Sequence, residues 1–118
     1  MLQVADCIFC KIIRGDLPST KVLDNEFVVA FLDIVPLAKV HIVIIPKKHI
    51  ATMNDFQSDD WFYITEIHKA AQQIARDLGI AESGYRLVNN CNAEGGQVVY
   101  HLHYHLLGGE KLAPLTVK

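Results

Sequence analysis

The sequence predicts an α+β fold in which a mostly antiparallel sheet packs with one long helix and a short N-terminal helix. Two observations predict it. Short apolar segments bounded by Gly, Pro, Asn and Asp lie on both sides of residues 58–78, where apolar residues recur at steps of three and four. Strands grouped around one such helix are typical of an antiparallel sheet that buries one face against the helix.

Composition and charge indicate one folded domain. The 118 residues are 51% hydrophobic and 20% charged, which suits a packed core. We predict a single domain over residues 1–118, with irregular tails at 1–5 and 111–118. The net charge of −2, without a basic run, argues against nucleic-acid binding, and no apolar segment approaches the roughly 20 residues of a membrane span. The lack of signal-peptide features predicts a cytoplasmic protein, and three cysteines argue against a disulfide framework.

The first half of the chain contains a short helix and three predicted strands. Four apolar residues within residues 7–14 predict an amphipathic helix that Gly15 ends. The predicted strands that follow cover residues 22–23, 27–32 and 41–45, with a turn at 24–26 and a stop at Pro46.

The second half contains the clearest helix, over residues 58–78. Ser58 is predicted to cap its first turn, and Gly79 stands where a left-handed residue is favoured after its end. A strand at 85–88 and a polar loop at 89–96 come next. The apolar face of the helix is predicted to contain Trp61, Ile64, Ile67, Ala71, Ile74, Ala75 and Leu78.

Residues 100–107 are the most informative segment, because half of the six histidines occur there at alternate positions. Alternate side chains of a strand share a face, so His101, His103 and His105 are predicted to lie together. Histidine exchanges protons near neutral pH and also binds metals. The opposite face is predicted to be buried and to contain Val98, Tyr100, Leu102, Tyr104 and Leu106.

Spacing leaves two functional interpretations of the histidine row open. Neighbouring same-face positions are roughly 6.6 Å apart and the outer two about 13 Å, so a pair can chelate one ion but three cannot easily do so. Alternatively, the middle histidine acts as a nucleophile or general base. Gly95 and Gly96, just upstream, suggest a loop whose N–H groups face an anion.

Residues 95–109 resemble the signature of the histidine triad (HIT) family, in which three histidines alternate with apolar residues. The resemblance continues through residues 31–36 and 41–50 and is closest to the Hint branch, the purine nucleoside phosphoramidate hydrolases. It implies the HIT fold, with a sheet continued across a homodimer. It also implies hydrolysis of a nucleoside 5′-monophosphate derivative, with dinucleoside polyphosphates as alternative substrates or nucleotide-dependent scaffolding as an alternative role.

The resemblance implies distinct roles for four histidines. His103 is expected to attack the α-phosphorus and form a nucleotidyl-histidine that water hydrolyses. His105 is expected to contact the phosphate and the leaving group. His41 and His101 are expected to orient His103 and move protons. A histidine at position 105 favours hydrolysis, because nucleotidyl transferases of this superfamily commonly carry glutamine there.

The same resemblance implies a nucleotide-binding set. Asp33 is expected to accept hydrogen bonds from the ribose hydroxyls, with Ile34 near the base. One departure concerns the residue after the glutamine, which is serine in many Hint proteins and valine here, leaving only its backbone N–H to meet the phosphate. The residues expected near the phosphate are Asn90, Gly96, Gln97, Val98, His103 and His105.

A structural Zn²⁺ site is also implied by resemblance. Cys7 and Cys10 form a Cys-x-x-Cys pair that needs two more ligands for a tetrahedral site. Zinc-bearing members of this superfamily pair such cysteines with the histidine after the central strand and the first triad histidine, here His49 and His101. Two reduced cysteines without metal remain the alternative, and His101 has two competing roles. Catalysis itself is expected to need no cofactor.

A cupin-type metalloenzyme is a further alternative, since His103, His105 and Glu110 have a cupin-like spacing. A cupin is nearly all-β, and the strong helix over residues 58–78 argues against it.

Overall fold

A computed structural model of the chain describes residues 4–115 and confirms the predicted α+β fold. Five strands form one antiparallel sheet in the order β1-β2-β3-β5-β4, with two α-helices packed on it. Within the described range no helix has the length and apolar character needed to cross a membrane. The elements are α1 (Ile8–Arg14), β1 (Lys21–Asp24), β2 (Val28–Leu32), β3 (Val40–Pro46), α2 (Phe62–Asp77), β4 (Tyr85–Asn89) and β5 (Tyr104–Gly108).

The two faces of the sheet have separate cores. Helix α2 covers one face and buries Ile67, Ile74 and other apolar residues against β2, β3 and β5. Complete burial of each such side chain contributes about 1.5–3 kcal/mol relative to exposure. Helix α1 covers part of the opposite face, where it packs Phe9 and Ile12 on β2 and β3. The remainder of that second face is left for the histidines.

Helix α1 forms as the sequence predicts. The Cys7 thiol caps it by accepting the Cys10 N–H at 3.4 Å. Gly15 ends it with a φ of 83°, a left-handed conformation that glycine adopts without strain, and its N–H donates to the Ile12 carbonyl at 3.1 Å. The bond between the Cys10 N–H and the Cys7 thiol therefore holds Cys7 and Cys10 close together at the start of α1.

Helix α2 begins at Phe62, four residues later than predicted, and Ser58 does not cap it. Residues 58–61 form a turn instead, in which the Asp60 carboxylate accepts the Gln57 N–H at 2.9 Å. The prediction that Trp61 belongs to the apolar face is wrong, since 52% of its surface is exposed.

The histidine segment is only partly a strand. Strand β5 starts at Tyr104, so His101 and His103 precede it, against prediction. The Leu102 N–H donates to the Ile50 carbonyl at 2.7 Å, which holds this stretch outside the strand ladder. Leu102, Tyr104 and Leu106 are buried as predicted. Two other residues predicted for that buried face are instead exposed, namely Val98 and Tyr100.

Asp60 should stabilise the fold through its buried carboxylate. It is 2% exposed and lies 2.6 Å from the Lys48 ammonium, which lowers the pKa of Asp60. Asp60→Ala should reduce the free energy of unfolding at neutral pH by about 1–3 kcal/mol, because Lys48 and the Gln57 N–H both lose their acceptor. Urea denaturation measures this, with the exposed neighbour Asp59→Ala as the matched control.

The pH dependence of this effect has a definite sign. The folded-state pKa of Asp60 lies below its ordinary 3.8, so its contribution is present above that pH. It is lost as the pH falls through the folded-state pKa, and the gap between wild type and Asp60→Ala should then close. A gap that stays constant down to the acid unfolding transition would contradict this account.

Candidate active site

The site is on the sheet face that α1 leaves open, where β3 and β5 pair. His41 and Val43 face the same side of β3, and Val43 pairs with His105 of β5. This register brings His41 Nε2 to 2.9 Å from His105 Nδ1. The His103 and His105 rings are 5.0 Å apart between centroids. Three of the four predicted catalytic histidines therefore form one group.

His103 is held with one ring nitrogen free. Its Nδ1–H donates to the His101 carbonyl at 2.8 Å, and since a carbonyl only accepts, the proton of the neutral ring must be on Nδ1. The edge-to-face ring of Phe9, 5.1 Å away, fixes the imidazole plane. Burial also lowers the pKa of His103. Nε2 consequently carries a lone pair.

His41 and His105 are both biased toward the neutral form. Burial is the main cause of the lowered pKa of His41, and the Asp33 carboxylate partly opposes it. Burial and the neighbouring histidines lower the pKa of His105 to about 4. His41 is also contacted by two groups of the β2–β3 loop, the Leu37 N–H at 3.0 Å and the Asp33 carboxylate at 3.4 Å.

The β2–β3 loop places two of the predicted nucleotide contacts beside the histidines. Asp33 uses one carboxylate oxygen to accept the Val35 N–H at 2.8 Å, while its other oxygen faces His41. Ile34 is 94% exposed, an unusual position for a large apolar residue. The loop therefore presents a carboxylate and an apolar side chain at the edge of the histidine group.

The buried side chain of Gln97 bonds to the surrounding backbone. Its side-chain oxygen accepts the Asn92 N–H at 2.9 Å, and its amide donates to the carbonyls of Ala51 and Val99 at 2.8 and 3.0 Å. With 6% of its surface exposed, this amide holds the loop before the histidines together. Its side chain is committed to the protein itself.

The other predicted phosphate contacts lie in the same loop. Gly96 has a φ of 90°, a backbone conformation that a side chain would strain, and Asn90 lies under it. Val98 is 86% exposed. Gly96 and Val98 are therefore both exposed in this loop.

The four predicted metal ligands come together in a second group. One donor atom from each of Cys7, Cys10, His49 and His101 lies within 4.8 Å of every other. The His101 Nδ1 is 3.4 and 3.5 Å from the two sulfurs, and His49 Nδ1 is 3.4 Å from Cys10 Sγ. Ligands at about 2.3 Å (sulfur) and 2.0–2.1 Å (nitrogen) from a tetrahedral Zn²⁺ are separated by about 3.5 Å.

The protonation of His101 also suits a metal ligand. Its Nε2–H donates to the Pro46 carbonyl at 2.9 Å, which leaves the Nδ1 lone pair directed at the thiols. Burial lowers the pKa of His101 to about 4. The side chain of His101 therefore belongs to the cysteine group, and only its carbonyl reaches His103.

Three contributions to the site have no counterpart in the sequence predictions. Phe9 packs edge-on against both His101 and His103. The Asn89 amide donates to the His103 carbonyl at 3.0 Å. The Leu37 N–H bonds to His41. Phe9 stands between the two cysteines and Asn89 precedes the predicted Asn90, but nothing in either residue type indicates its contact.

Comparison with known proteins gives a consistent result. The sequence matches the HIT domain family over residues 14–112. It is 47% identical over 110 residues to the purine nucleoside phosphoramidase of Escherichia coli K12, covering 93% of this chain and 92% of that protein.

Solved structures of HIT proteins have the same fold as this chain. A histidine triad protein from Clostridium difficile superposes with a TM-score of 0.95 at 43% identity, covering 98% of this chain and all of that one. A HIT family hydrolase from Legionella pneumophila gives a TM-score of 0.89 at 49% identity, covering 92% and 96% of the two chains.

Proposed function

Because the chain belongs to the HIT domain family and is a HIT family hydrolase, we propose that it hydrolyses the P–N bond of purine nucleoside 5′-phosphoramidates. The Escherichia coli relative named for this activity supports the choice of bond and of purine. Nucleoside monophosphates with an acyl or phosphate leaving group, including dinucleoside polyphosphates, present the same phosphorus to the site and are further candidates.

The observation that carries the proposal is the tautomer of His103. A nitrogen nucleophile needs a free lone pair, and the hydrogen bond from Nδ1–H to the His101 carbonyl leaves that pair on Nε2. The same bond stabilises the ring when Nε2 becomes bonded to phosphorus, because Nδ1 then keeps its proton beside an acceptor. His41 and His105 lie next to His103 and can supply hydrogen bonds to the substrate.

The proposed reaction has two steps. His103 Nε2 attacks the α-phosphorus, the P–N bond breaks, and the amine leaves with the bonding electron pair and takes a proton from solvent. Water then attacks the phosphorus of the nucleotidyl-histidine and gives up a proton to solvent. The bond between phosphorus and Nε2 breaks, its electron pair returns to His103, and the nucleoside monophosphate is released. His105 forms a hydrogen bond to the phosphate. His41 orients His105 through the contact between His41 Nε2 and His105 Nδ1.

The nucleotide is proposed to lie across the two loops that border the histidines. Asp33 accepts hydrogen bonds from the ribose hydroxyls, and the exposed Ile34 covers one face of the base. The phosphate lies against the loop at Gly96, with Asn90 and the backbone N–H of Val98 nearby. Gln97 contributes by holding that loop in place.

One experiment tests the nucleophile and the substrate class together. The protein, in excess over an adenosine 5′-phosphoramidate, is mixed with it and the reaction is quenched during the first turnover. The mass of the intact protein is then measured by mass spectrometry. Wild type should gain the mass of one adenylyl group, and His103→Asn should not. Absence of both adduct and turnover would reject the proposal and leave the nucleotide-dependent scaffold as the better account.

We also propose a structural Zn²⁺ held by Cys7, Cys10, His49 and His101. Their donor distances match tetrahedral coordination, and the chemistry of two thiols and two imidazoles is typical of zinc. The ion would link α1 to the segment before β5. We also propose a cytoplasmic location, because cysteines that are not joined in disulfides are typical of a reducing compartment.

A homodimer joined through β4 completes the proposal. The sheet ends at β1 and β4, and among residues 4–115 each of these strands pairs on one side only. Strand β1 carries an ion pair between Lys21 and Asp24, and charges of this kind discourage edge pairing. The half-exposed Tyr85 makes β4 the better edge. Sedimentation velocity should give a dimer at micromolar concentration, and a monomer at every concentration would contradict this assembly.

A further inference from the structure

The ring of His41 has hydrogen-bond partners that fix where its proton lies. The Leu37 backbone N–H points at Nδ1 from 3.0 Å, and a backbone N–H can only donate. Nδ1 must therefore accept, and the single proton of the neutral ring is on Nε2. His41 is 4% exposed, so solvent has little access to the ring and does not readily replace these partners.

The fixed proton of His41 determines that of His105. His41 Nε2 lies 2.9 Å from His105 Nδ1, and with the proton on His41 the nitrogen of His105 must accept. The proton of a neutral His105 is then on its own Nε2. His105 can therefore offer an N–H to a phosphate oxygen, and hydrogen-bond donors held ready in this way stabilise developing charge.

We propose that the backbone N–H of Leu37 is a positioning group that sets the tautomers of His41 and His105 and keeps divalent metal ions out of the Asp33–His41–His105 cluster. The first part rests on the proposed function, since it assigns the His105 Nε2–H to the substrate phosphate. The second part, the exclusion of metal ions, does not depend on the proposed substrate.

Asp33, His41 and His105 together form a possible metal-binding group. One donor atom from each of Asp33, His41 and His105 lies within 4.8 Å of the others, and two imidazoles with a carboxylate form a common site for divalent transition metals. A metal on His41 Nε2 would leave the proton of that ring on Nδ1. That N–H would then face the Leu37 N–H at 3.0 Å, two donors without an acceptor.

The loop holds this N–H in place from both ends. Upstream, the Asp33 carboxylate accepts the Val35 N–H at 2.8 Å, and downstream the Glu110 carboxylate accepts the Lys39 N–H at 2.7 Å. The Leu37 side chain is 79% exposed and contributes little to this arrangement. Its removal and the removal of its N–H are therefore separable.

Histidine ¹⁵N NMR tests the tautomers directly. In wild type and in Leu37→Ala, which keeps the N–H, the neutral His41 and His105 should both be protonated on Nε2 alone. Leu37→Pro lacks the N–H and should show Nδ1 protonation of one or both rings. The ester analogue with α-hydroxyleucine at position 37 makes the same change without the proline ring, should Leu37→Pro fail to fold. Unchanged tautomers in the ester would overturn the proposal.

Metal binding gives an independent readout. Protein loaded with one Zn²⁺ is titrated with Co²⁺, whose absorption separates nitrogen and oxygen ligands from thiolates. Wild type and Leu37→Ala should bind a second ion only weakly, whereas the Leu37 N–H deletion should bind one at least about 10-fold more tightly. Adding Asp33→Asn to the deletion should abolish the gain. Equal Co²⁺ binding by wild type and the deletion would overturn the exclusion of metal.

Kinetics separate this proposal from the function it builds on. Deletion of the Leu37 N–H should lower kcat for a phosphoramidate roughly 10-fold or more, with a smaller change in KM, because a donor aimed at the transition state is lost. If wild type hydrolyses no nucleotide, the proposed function fails while the tautomer and Co²⁺ measurements still decide the role of Leu37. A deletion variant with altered tautomers and full kcat would refute the role of His105 as a phosphate donor.

Discussion

Replacing His103 with asparagine should lower the hydrolysis rate of an adenosine 5′-phosphoramidate by a factor of about 1,000 or more. Asparagine has no nucleophilic nitrogen, so the covalent pathway closes, while its amide can still donate to the His101 carbonyl that now bonds to His103. The fold should therefore survive. Release of adenosine monophosphate under saturating substrate measures the loss, and circular dichroism checks the fold.

His68→Asn is the matched control for this substitution. His68 is exposed on α2, on the other side of the sheet, with its ring against Tyr104. The control should keep the wild-type rate, which shows that the loss follows the position of the histidine and not its removal. A His103→Asn protein that retained a tenth of the wild-type rate would show that His103 is not the nucleophile.

Removing the proposed zinc should destabilise the protein more than the loss of any one surface interaction. Cys10 is fully buried, and its sulfur lies near both His49 and His101. Cys10→Ser should reduce the bound zinc from about one ion per chain to a small fraction and lower the free energy of unfolding by about 3 kcal/mol or more. For a chain of this size the melting temperature should fall by roughly 10 °C.

Cys91→Ser is the control, because the third cysteine lies outside the cluster. It should keep both the zinc content and the melting temperature of wild type. The decisive measurements are elemental analysis of protein purified without added zinc and thermal unfolding with and without chelator. The structural site would be excluded if wild-type protein contained less than about 0.2 zinc per chain and its melting temperature did not change on addition of the chelator.

The elements of this fold could be predicted from local signals, and the errors arose where distant groups intervene. Gly15 ends α1 as its backbone freedom predicts. The sequence predicts too early a start for α2, because Asp60 is an ordinary first-turn residue by type but pairs with Lys48 in the structure. The sequence predicts too long a β5 strand, because Leu102 bonds to Ile50, and alternation cannot reveal a contact between residues 52 positions apart.

The candidate site shows the same division. Residue types and order identified the histidines and cysteines, and the structure groups them into two clusters. Residue types and their order could not show which backbone groups bond to the histidine rings, since a carbonyl or an N–H is present at almost every position of a chain. The amide of Gln97 is a related case, because its three backbone bonds depend on the path of the loop.

His101 belongs to both clusters, but through different atoms. Its imidazole faces the thiols of Cys7 and Cys10, whereas its main-chain carbonyl accepts the hydrogen bond from the Nδ1–H of His103. A carbonyl remains whichever amino acid occupies position 101. A protein built on this fold can therefore exchange its metal ligands for other residues without surrendering the hydrogen bond that prepares the nucleophile. The residues that bind the metal can therefore be substituted independently of the hydrogen bond that orients His103.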